Sequence, residues 1–269
     1  MLATIRSGIA AANKEISVIS NNIANASTNG FKRSSAQFQD IYGIAGEKRA
    51  AAQVGMGTIF DASRRNHAQG AFKTSGSELD LAVAGEGMFI VAPPNAGNEL
   101  RFTRDGSMRL DENGFIVNNE GHFLIGLDGD PLRLPLRRFP DEGGADAAEE
   151  LLTSVTIGID GQIRATYAGA MTRGNGSVIN RGSIALARFQ NEADLTSKGN
   201  GQFIMNAKSG APVVGAASQG NFGDVLSGNL EVSNVKINDE LTSMIRAQQA
   251  YSASSRMLQA DSDIVKKFL

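Results

Sequence analysis

Apolar residues recur with a helical period at the start of the chain. Leu2, Ile5, Ile9, Ala12, Ile16, Ile19 and Ile23 fall at alternating steps of three and four, a heptad seam sustained over three repeats. A lone helix of about two dozen residues, with Ser, Asn and Gly among its other positions, is marginal in water because most helix stability comes from burying an apolar face. The seam therefore needs a partner. Asn25, Ser27, Thr28, Asn29 and Gly30 form a breaker cluster, with Gly30 placed to take a left-handed cap.

A second helical period lies near the other end. Ile237, Leu241, Met244, Gln248, Tyr251, Ser255, Leu258, Ser262, Val265 and Leu269 step by three and four, and Ile245, Ile264 and Phe268 widen the stripe. Asn238 is placed as an N-cap, Asp239 and Glu240 sit in the first turn, and Lys266 and Lys267 sit where the helix dipole favours cations. A helix over 238–267 would run about 45 Å. The two seams are natural mates. Their plainest reading is the core of a helical hairpin, with Gln248, Ser255 and Ser262 as register pins or simply loose core.

Between the helices the period changes to two. Leu79, Leu81 and Val83, then Met88 to Val91, predict strands. Leu100, Phe102, Met108, Leu110, Phe115, Val117, Phe123 and Ile125 alternate with polar residues between turn pairs at Asp105-Gly106, Asn113-Gly114, Glu120-Gly121 and Asp128-Gly129. A β-meander is the simplest arrangement. Further strands are expected over 155–159, 163–167, 184–189 and 203–205, with a flexible segment from Gly215 to Asn229. Residues 31–70 hold no sustained period and read as an extended connector with short strands, lying along the helices or another subunit. The expected fold class is α+β: residues 1–30 and 234–269 pair as a terminal coiled-coil domain, 31–70 connect, and 71–233 form a mostly antiparallel β domain.

Composition narrows the partners. Thirty-one Gly and six Pro suit many tight turns. A net charge of −2 gives no electrostatic reason to bind nucleic acid or an anionic membrane, so protein surfaces are the expected partners. With no cysteine, disulfides, thiolate metal sites and thiol nucleophiles are excluded. No segment approaches a membrane span or a signal-peptide apolar region, which predicts no direct membrane insertion and, if the protein is exported, a route without a cleavable signal.

Candidate chemistry is sparse. His67 and His122 are the only histidines and sit among polar or turn residues, as solvated or hydrogen-bonded surface groups do. Asp111 to Gly114 has a faint likeness to a calcium loop, yet the positions that should be Gly and Glu are Ile116 and His122. Gly55-Met56-Gly57 and Gly85-Glu86-Gly87 complete no phosphate-loop motif and suit bends or bulges, and there is no nucleophile elbow. The expectation is no enzyme activity, no cofactor, no metal and no small-molecule substrate.

Three separated stretches carry a family likeness. Asn21-Asn22-Ile23-Ala24-Asn25, continuing through Ser27-Thr28-Asn29-Gly30-Phe31-Lys32, closely resembles the N-terminal signature of bacterial flagellar rod and hook axial proteins. Leu79 to Phe89, LDLAVAGEGMF, followed by Phe102-Thr103-Arg104-Asp105-Gly106, is similar to that family's central β domain. Gly228 to Val235, with Glu240-Leu241, Met244-Ile245 and Ala247 to Tyr251, resembles its C-terminal helix.

The resemblance implies an inner coiled-coil domain with a β domain outside it, and a structural subunit of the hook-basal body. Copies would stack with themselves and with adjacent axial proteins into a helical tube that transmits torque. Unfolded subunits would pass through its channel from the flagellar type III export apparatus. Location would be the basal body or hook, from periplasm to cell exterior. It further implies termini that order on assembly, the cost offset by burial between subunits. The assembly residues so implied are Leu2, Ile5, Ile9, Ile16, Ile19, Ile23, Asn21, Asn22, Asn25, Gly30 and Phe31, with Ile237, Leu241, Met244, Gln248, Tyr251, Leu258 and Val265. Phe38 to Tyr42 and Gly220 to Gly223 look like the hook protein, whereas the length resembles the rod proteins, so a rod-type and a minimal hook-type subunit both stand. A secreted β-rich adhesin or effector is the competing class, and a hydrolase with an unrecognised site is a third.

Overall fold

The computed structural model describes residues 2–42, 55–94, 99–138, 150–169 and 177–268. Helix α1 spans Leu2–Ala24, followed by strands β1 (Ser34–Tyr42) and β2 (Gly55–Arg65). Short strands come next: β3 (Phe72–Thr74), β4 (Leu81–Ala84), β5 (Met88–Ala92), β6 (Arg101–Thr103), β7 (Arg109–Leu110), β8 (Ile116–Val117) and β9 (Phe123–Leu124). Beyond them are β10 (Arg137–Arg138), β11 (Glu150–Ile157), β12 (Gln162–Gly169), β13 (Ser177–Ser183), β14 (Ala185–Arg188), β15 (Thr196–Gly199) and β16 (Gln202–Ile204). The last are β17 (Val213–Ala216), β18 (Asp224–Ser227), β19 (Asn229–Glu231) and helix α2 (Ile237–Phe268). The chain divides into a terminal unit, Met1–Ser27 with Lys32–His67 and Asn234–Leu269, and a β unit, Thr28–Phe31 with Ala68–Ser233.

In the terminal unit α1 and α2 run antiparallel. Asn22, near the end of α1, bonds Glu240 in the first turn of α2, and Gly8 lies against Ser254 further along. The 32 residues of α2 make it about 48 Å long. It begins at Ile237, so Asn238 lies inside the first turn rather than capping it, and the Lys236 carbonyl accepts the Glu240 N–H. Strands β1 and β2 pair as an antiparallel ribbon from Ser34↔Arg65 to Tyr42↔Gly55 and pack against α1. A bare two-stranded ribbon is marginal in water, so the helix supplies the cover it needs. Within the stretch expected as a connector with short strands, residues 34–42 and 55–65 thus pair with each other. Register shifts after Gln37 and after Asp40 move side chains across the ribbon and erase the alternation a strand would show.

Within the β unit, β10–β13 form a meander and a larger antiparallel sheet runs β15-β16-β6-β5-β9-β8-β7, with β14 pairing both β5 and β17. The expected simple meander does not hold here, because β9 returns to pair with β5 on the side away from β6. Alternation states which face of a strand is apolar and leaves its neighbour open. β5 is buried on both faces: Phe89 and Val91 join one core with Leu81, Leu124, Ile163, Tyr167 and Ile184, while Met88 and Ile90 join another with Phe102, Phe189 and Phe203.

The segment expected to be flexible, Gly215 to Asn229, contains the whole of β18 and takes in the end of β17 and the first residue of β19. β18 lies antiparallel to β4 with Val225 fully buried, and β19 pairs β3. Two glycines also act differently from expectation. Gly106 does not turn a hairpin; an added Cβ would sit 1.7 Å from the Leu81 carbonyl oxygen, so the residue permits close backbone approach. Gly30 is left-handed at φ 66° but lies beyond the end of α1, and a Cβ there would meet the Asp105 backbone nitrogen at 2.5 Å. Its N–H donates to the Glu231 carbonyl at 2.7 Å.

Glu231, 1% exposed, draws several segments of the β unit together. Its Oε1 accepts from the Gly70 N–H at 2.7 Å, and its Oε2 lies 3.5 Å from Arg104 Nη1. Arg104 Nη2 donates to the Gly85 carbonyl at 2.9 Å.

Candidate assembly surface

A polar knot fixes the terminal unit where α1 ends. The buried Asn22 donates from Nδ2 to the Ser34 carbonyl at 2.8 Å and to Glu240 Oε2 at 3.1 Å, and its Oδ1 accepts from the Ser34 N–H at 2.9 Å. The other oxygen of Glu240, also buried, pairs with Arg33 Nε. Asn234 Oδ1 accepts from the Arg33 N–H at 2.7 Å, and its Nδ2 donates to the Asn66 carbonyl at 2.9 Å. The Asn66 N–H returns to the Arg33 carbonyl at 2.9 Å. Leaving such buried groups unpaired costs about 1–3 kcal/mol each, so the knot selects one register of α1, β1 and α2.

The α1 seam is covered unevenly. Ala12 and Ile19 are buried, Ile5, Ile9, Ile16 and Ile23 are half-buried, and Leu2 is exposed. In α2 the buried residues are Glu240 and Ala247, with Ser243, Met244, Ser254, Ser255, Leu258 and Asp261 half-buried. Small residues thus fill much of this contact, as Gly8 against Ser254 illustrates: an added Cβ would lie 3.5 Å from Ser254 Oγ. Of the α2 residues predicted as seam, Met244 and Leu258 turn inward in part, whereas Ile237, Leu241, Gln248 and Tyr251 are exposed. The side chain of Val265 lies outside the described residues. A strict heptad drifts about 20° per repeat on a straight α-helix, so a seam that faces α1 near Leu258 has rotated away by Ile237.

Apolar side chains on both flanks of α2 are left uncovered. Ile237, Leu241 and Ile245 are 49%, 46% and 55% exposed, and Met257 and Ile264 are exposed as well. At about 100° per residue the first three lie on one flank of the face turned to α1, and the last two on the other. Ile41, Met56 and Ile59 of the ribbon are also exposed. Among the predicted junction residues, Asn21 is exposed, Asn25 is half-buried and donates from Nδ2 to the Asn21 carbonyl at 2.9 Å, and Asn22 is wholly engaged within the chain. Gly30 and the half-buried Phe31 belong to the β unit. Sequence reasoning missed Arg33, Ser34, Asn66 and Met257. Their local sequence carries no signal, because each takes its role from residues distant in the chain or from which flank of α2 is left open.

The β unit offers a different kind of feature. A cleft of about 440 Å³ is lined by Pro94, Arg109, Leu110, Asp111, Glu112, Val117, Gly121 and Phe123. Its carboxylates have no hydroxyl, imidazole or amine beside them in the lining to make a nucleophile and base pair. Among the described residues no group of three or more His, Asp or Glu could hold a metal ion, and no helix is long and apolar enough to cross a membrane. His122 departs from the expected surface position: it is 8% exposed and hydrogen-bonded through Nδ1 to Gln202.

Comparison with known proteins places family models along the chain: "Flagella basal body rod protein" over residues 2–32, "Flagellar hook protein FlgE/F/G D1 domain" over 82–165, and "Flagellar basal body rod FlgEFG protein C-terminal" over 226–269. The chain is 30% identical over 283 residues to "Flagellar basal-body rod protein FlgG" of Bacillus subtilis (strain 168), covering 100% of this chain and 98% of that one. It is 31% identical over 269 residues to the protein of the same name from Caulobacter vibrioides, covering 96% and 93%. It is 27% identical over 248 residues to "Flagellar basal-body rod protein FlgF" of Mesorhizobium japonicum, covering 91% and 86%.

Proposed function

This chain belongs to the family of flagellar basal-body rod and hook proteins, and we propose that it is a rod-type axial subunit whose terminal unit carries the contacts to neighbouring subunits. It is a structural protein of the flagellar basal body and not an enzyme, and it assembles with other flagellar axial proteins. The observation that carries the assembly reading is the incomplete cover of α2. Small residues fill much of the α1–α2 contact, while Ile237, Leu241, Ile245, Met257 and Ile264 are left to water. Apolar side chains grouped this way on two flanks of one helix gain by burial against another protein surface.

In this reading α1 and α2 form an inner coiled-coil layer, and copies of the chain stack into a helical tube that carries torque and serves as the export channel. The seam residues Leu2, Ile5, Ile9, Ile16, Ile19 and Ile23 hold α1 to its own partners. Ile237, Leu241, Gln248 and Tyr251 face the next subunit. Delivery through the type III export apparatus suits a chain with no thiol to mispair. The rod-type reading is favoured over the minimal hook-type by the near-complete mutual coverage with a rod protein.

The test uses Leu241→Asp in the full chain. Because Leu241 is 46% exposed, the variant should keep the helical and β signals of the parent while failing to form concentration-dependent tubes in sedimentation and electron microscopy. Tubes of normal length and yield from this variant would remove Leu241 from the interface. Mass spectrometry of isolated hook-basal bodies, with antibody labelling along the axis, separates rod from hook.

A further inference from the structure

In the β unit, the side chain of Gln202 sits between an obligate donor and an obligate acceptor. Arg101 Nη1 donates to Gln202 Oε1 at 3.2 Å, and Gln202 Nε2 donates to Glu120 Oε2 at 2.8 Å. Guanidinium only donates and carboxylate only accepts, so the amide cannot be turned end for end. The same Nε2 lies 3.0 Å from His122 Nδ1. His122 Nδ1 must therefore be an acceptor, which makes the imidazole neutral with its proton on Nε2.

Two further contacts give this arrangement a consequence. Glu120 Oε1 accepts from Asn200 Nδ2, so one carboxylate holds both Asn200 and Gln202 at the turn of the β15–β16 hairpin. The same carboxylate is 3.6 Å from His122 Nδ1, close enough to pair directly once that nitrogen carries a proton. Glu120 and His122 are rigidly placed: Asn118 Oδ1 accepts both of their N–H groups at 3.0 and 2.9 Å, and the Asn118 N–H donates to the His122 carbonyl at 3.0 Å. Every residue of β15 is exposed, while β16 is joined to β6 through Gln202↔Thr103 and Phe203↔Phe102, with Phe203 buried and Thr103 Oγ1 donating to the Gly201 carbonyl at 3.0 Å.

We propose that Glu120, His122 and Gln202 form an acid-sensitive latch that fastens the β15–β16 hairpin to the sheet. With His122 neutral, Glu120 anchors Asn200 and Gln202. Proton uptake at Nδ1 sets that N–H against the Gln202 amide N–H, draws Glu120 towards the imidazolium, and releases the hairpin turn. The charged groups facing the site are Glu120 on the same turn, Arg101 on β6, Glu99 ahead of β6 at 3.5 Å from Arg101, and Lys198 on β15 at 3.9 Å from Glu99. Burial first, then Arg101, hold the His122 imidazole below its ordinary value, while Glu120, the Gln202 contact and Glu99 oppose the shift. The closed latch thus resists protonation, and an opened hairpin would let His122 return towards an ordinary value of about 6.5.

The test is amide hydrogen exchange by NMR on the full-length chain as a function of pH, with imidazole nitrogen shifts recorded in His67→Gln so that His122 reports alone. The expected result is an Nε2–H tautomer at neutral pH. Protection factors across β15 and β16 should fall by up to about tenfold per pH unit below about 6.5, until the closed form itself takes the proton. His122→Asn retains an acceptor and cannot titrate, so its hairpin protection should be flat across this range. Glu120→Gln should lower protection at every pH. An Nδ1–H tautomer, or hairpin protection in His122→Asn that still follows pH as in the parent, would overturn the latch.

Discussion

The side-chain amide of Asn22 occupies both backbone polar groups of Ser34, donating to its carbonyl at 2.8 Å and accepting from its N–H at 2.9 Å. In doing so it stands where the next strand of a sheet would stand, and it spares one further N–H for Glu240. The end of α1, the start of β1 and the first turn of α2 are therefore held by one residue. Alanine at position 22 should destabilise the terminal unit by about 2–3 kcal/mol, the cost of buried groups left unpaired. Asn22→Asp should cost more at neutral pH, because a second carboxylate meets the buried Glu240, and acid should recover part of the loss. Guanidinium unfolding followed at 222 nm at two pH values gives the order of the two variants; aspartate no worse than alanine at neutral pH would refute this account of the knot.

Glu231 and Arg104 make a buried ion pair within the β unit, 1% and 4% exposed. Glu231→Gln keeps the acceptor for the Gly70 N–H but leaves the Arg104 charge uncompensated. A loss of about 3–5 kcal/mol is expected. Removing the charge as well, in Glu231→Gln with Arg104→Met, should recover part of it. A double-mutant cycle measures the coupling, and simple additivity would mean the two side chains do not interact.

Gly106 and Gly76 form a matched pair of alanine substitutions. At Gly106 the new Cβ would lie 1.7 Å from the Leu81 oxygen, and backbone must move, so a loss of at least about 3 kcal/mol is expected. At Gly76 an added Cβ meets nothing within 4 Å, and the variant should be neutral or gain up to about 1 kcal/mol through the unfolded chain. Melting temperatures of the two variants test the contrast; a tolerated Gly106→Ala would contradict the close approach to Leu81.

Asp105 is held above the ordinary carboxylate value, mainly by burial, with hydrogen bonds from Ser107 opposing and Asp80 and Glu120 adding to the rise. A raised folded pKa means the native state keeps its proton longer than the unfolded chain, so stability falls as pH rises from the ordinary value of about 3.9 through the folded value. Asp105→Asn keeps an oxygen for Ser107 and should stabilise the protein at neutral pH, with the gain vanishing below that window. Unfolding curves for parent and variant from acid to neutral pH provide the check. An equal difference at all pH values would assign the effect to packing.

The chain's local grammar was legible from residues alone. Spacing of three and four predicts a helix ending at the 25–30 breaker cluster and another over 238–267, where Leu2–Ala24 and Ile237–Phe268 lie, and the alternation at Leu79, Leu81 and Val83 and the apolar run Met88 to Val91 predict strands where β4 and β5 lie. Turn pairs at Asn113-Gly114, Glu120-Gly121 and Asp128-Gly129 carry left-handed glycines where the sequence put them. The three family motifs were legible for the same reason, since each is a continuous run. What covers what was not. Asn22 and Glu240 lie 218 residues apart, and nothing near either announces the other. Two register shifts hid the β1–β2 ribbon, and β18 has too few residues to display an alternation.

By itself, then, the sequence determined the elements, because helix period, strand alternation and glycine turns depend on neighbours along the chain. Only the tertiary structure decided which flank of α2 turns to α1, that β9 returns beside β5, and that His122 is buried against Gln202. Those choices rest on summed contacts between distant segments. On α2 they also rest on the small mismatch between seven residues and two helical turns, which carries Ile237 and Leu241 out of the intramolecular contact and leaves both exposed.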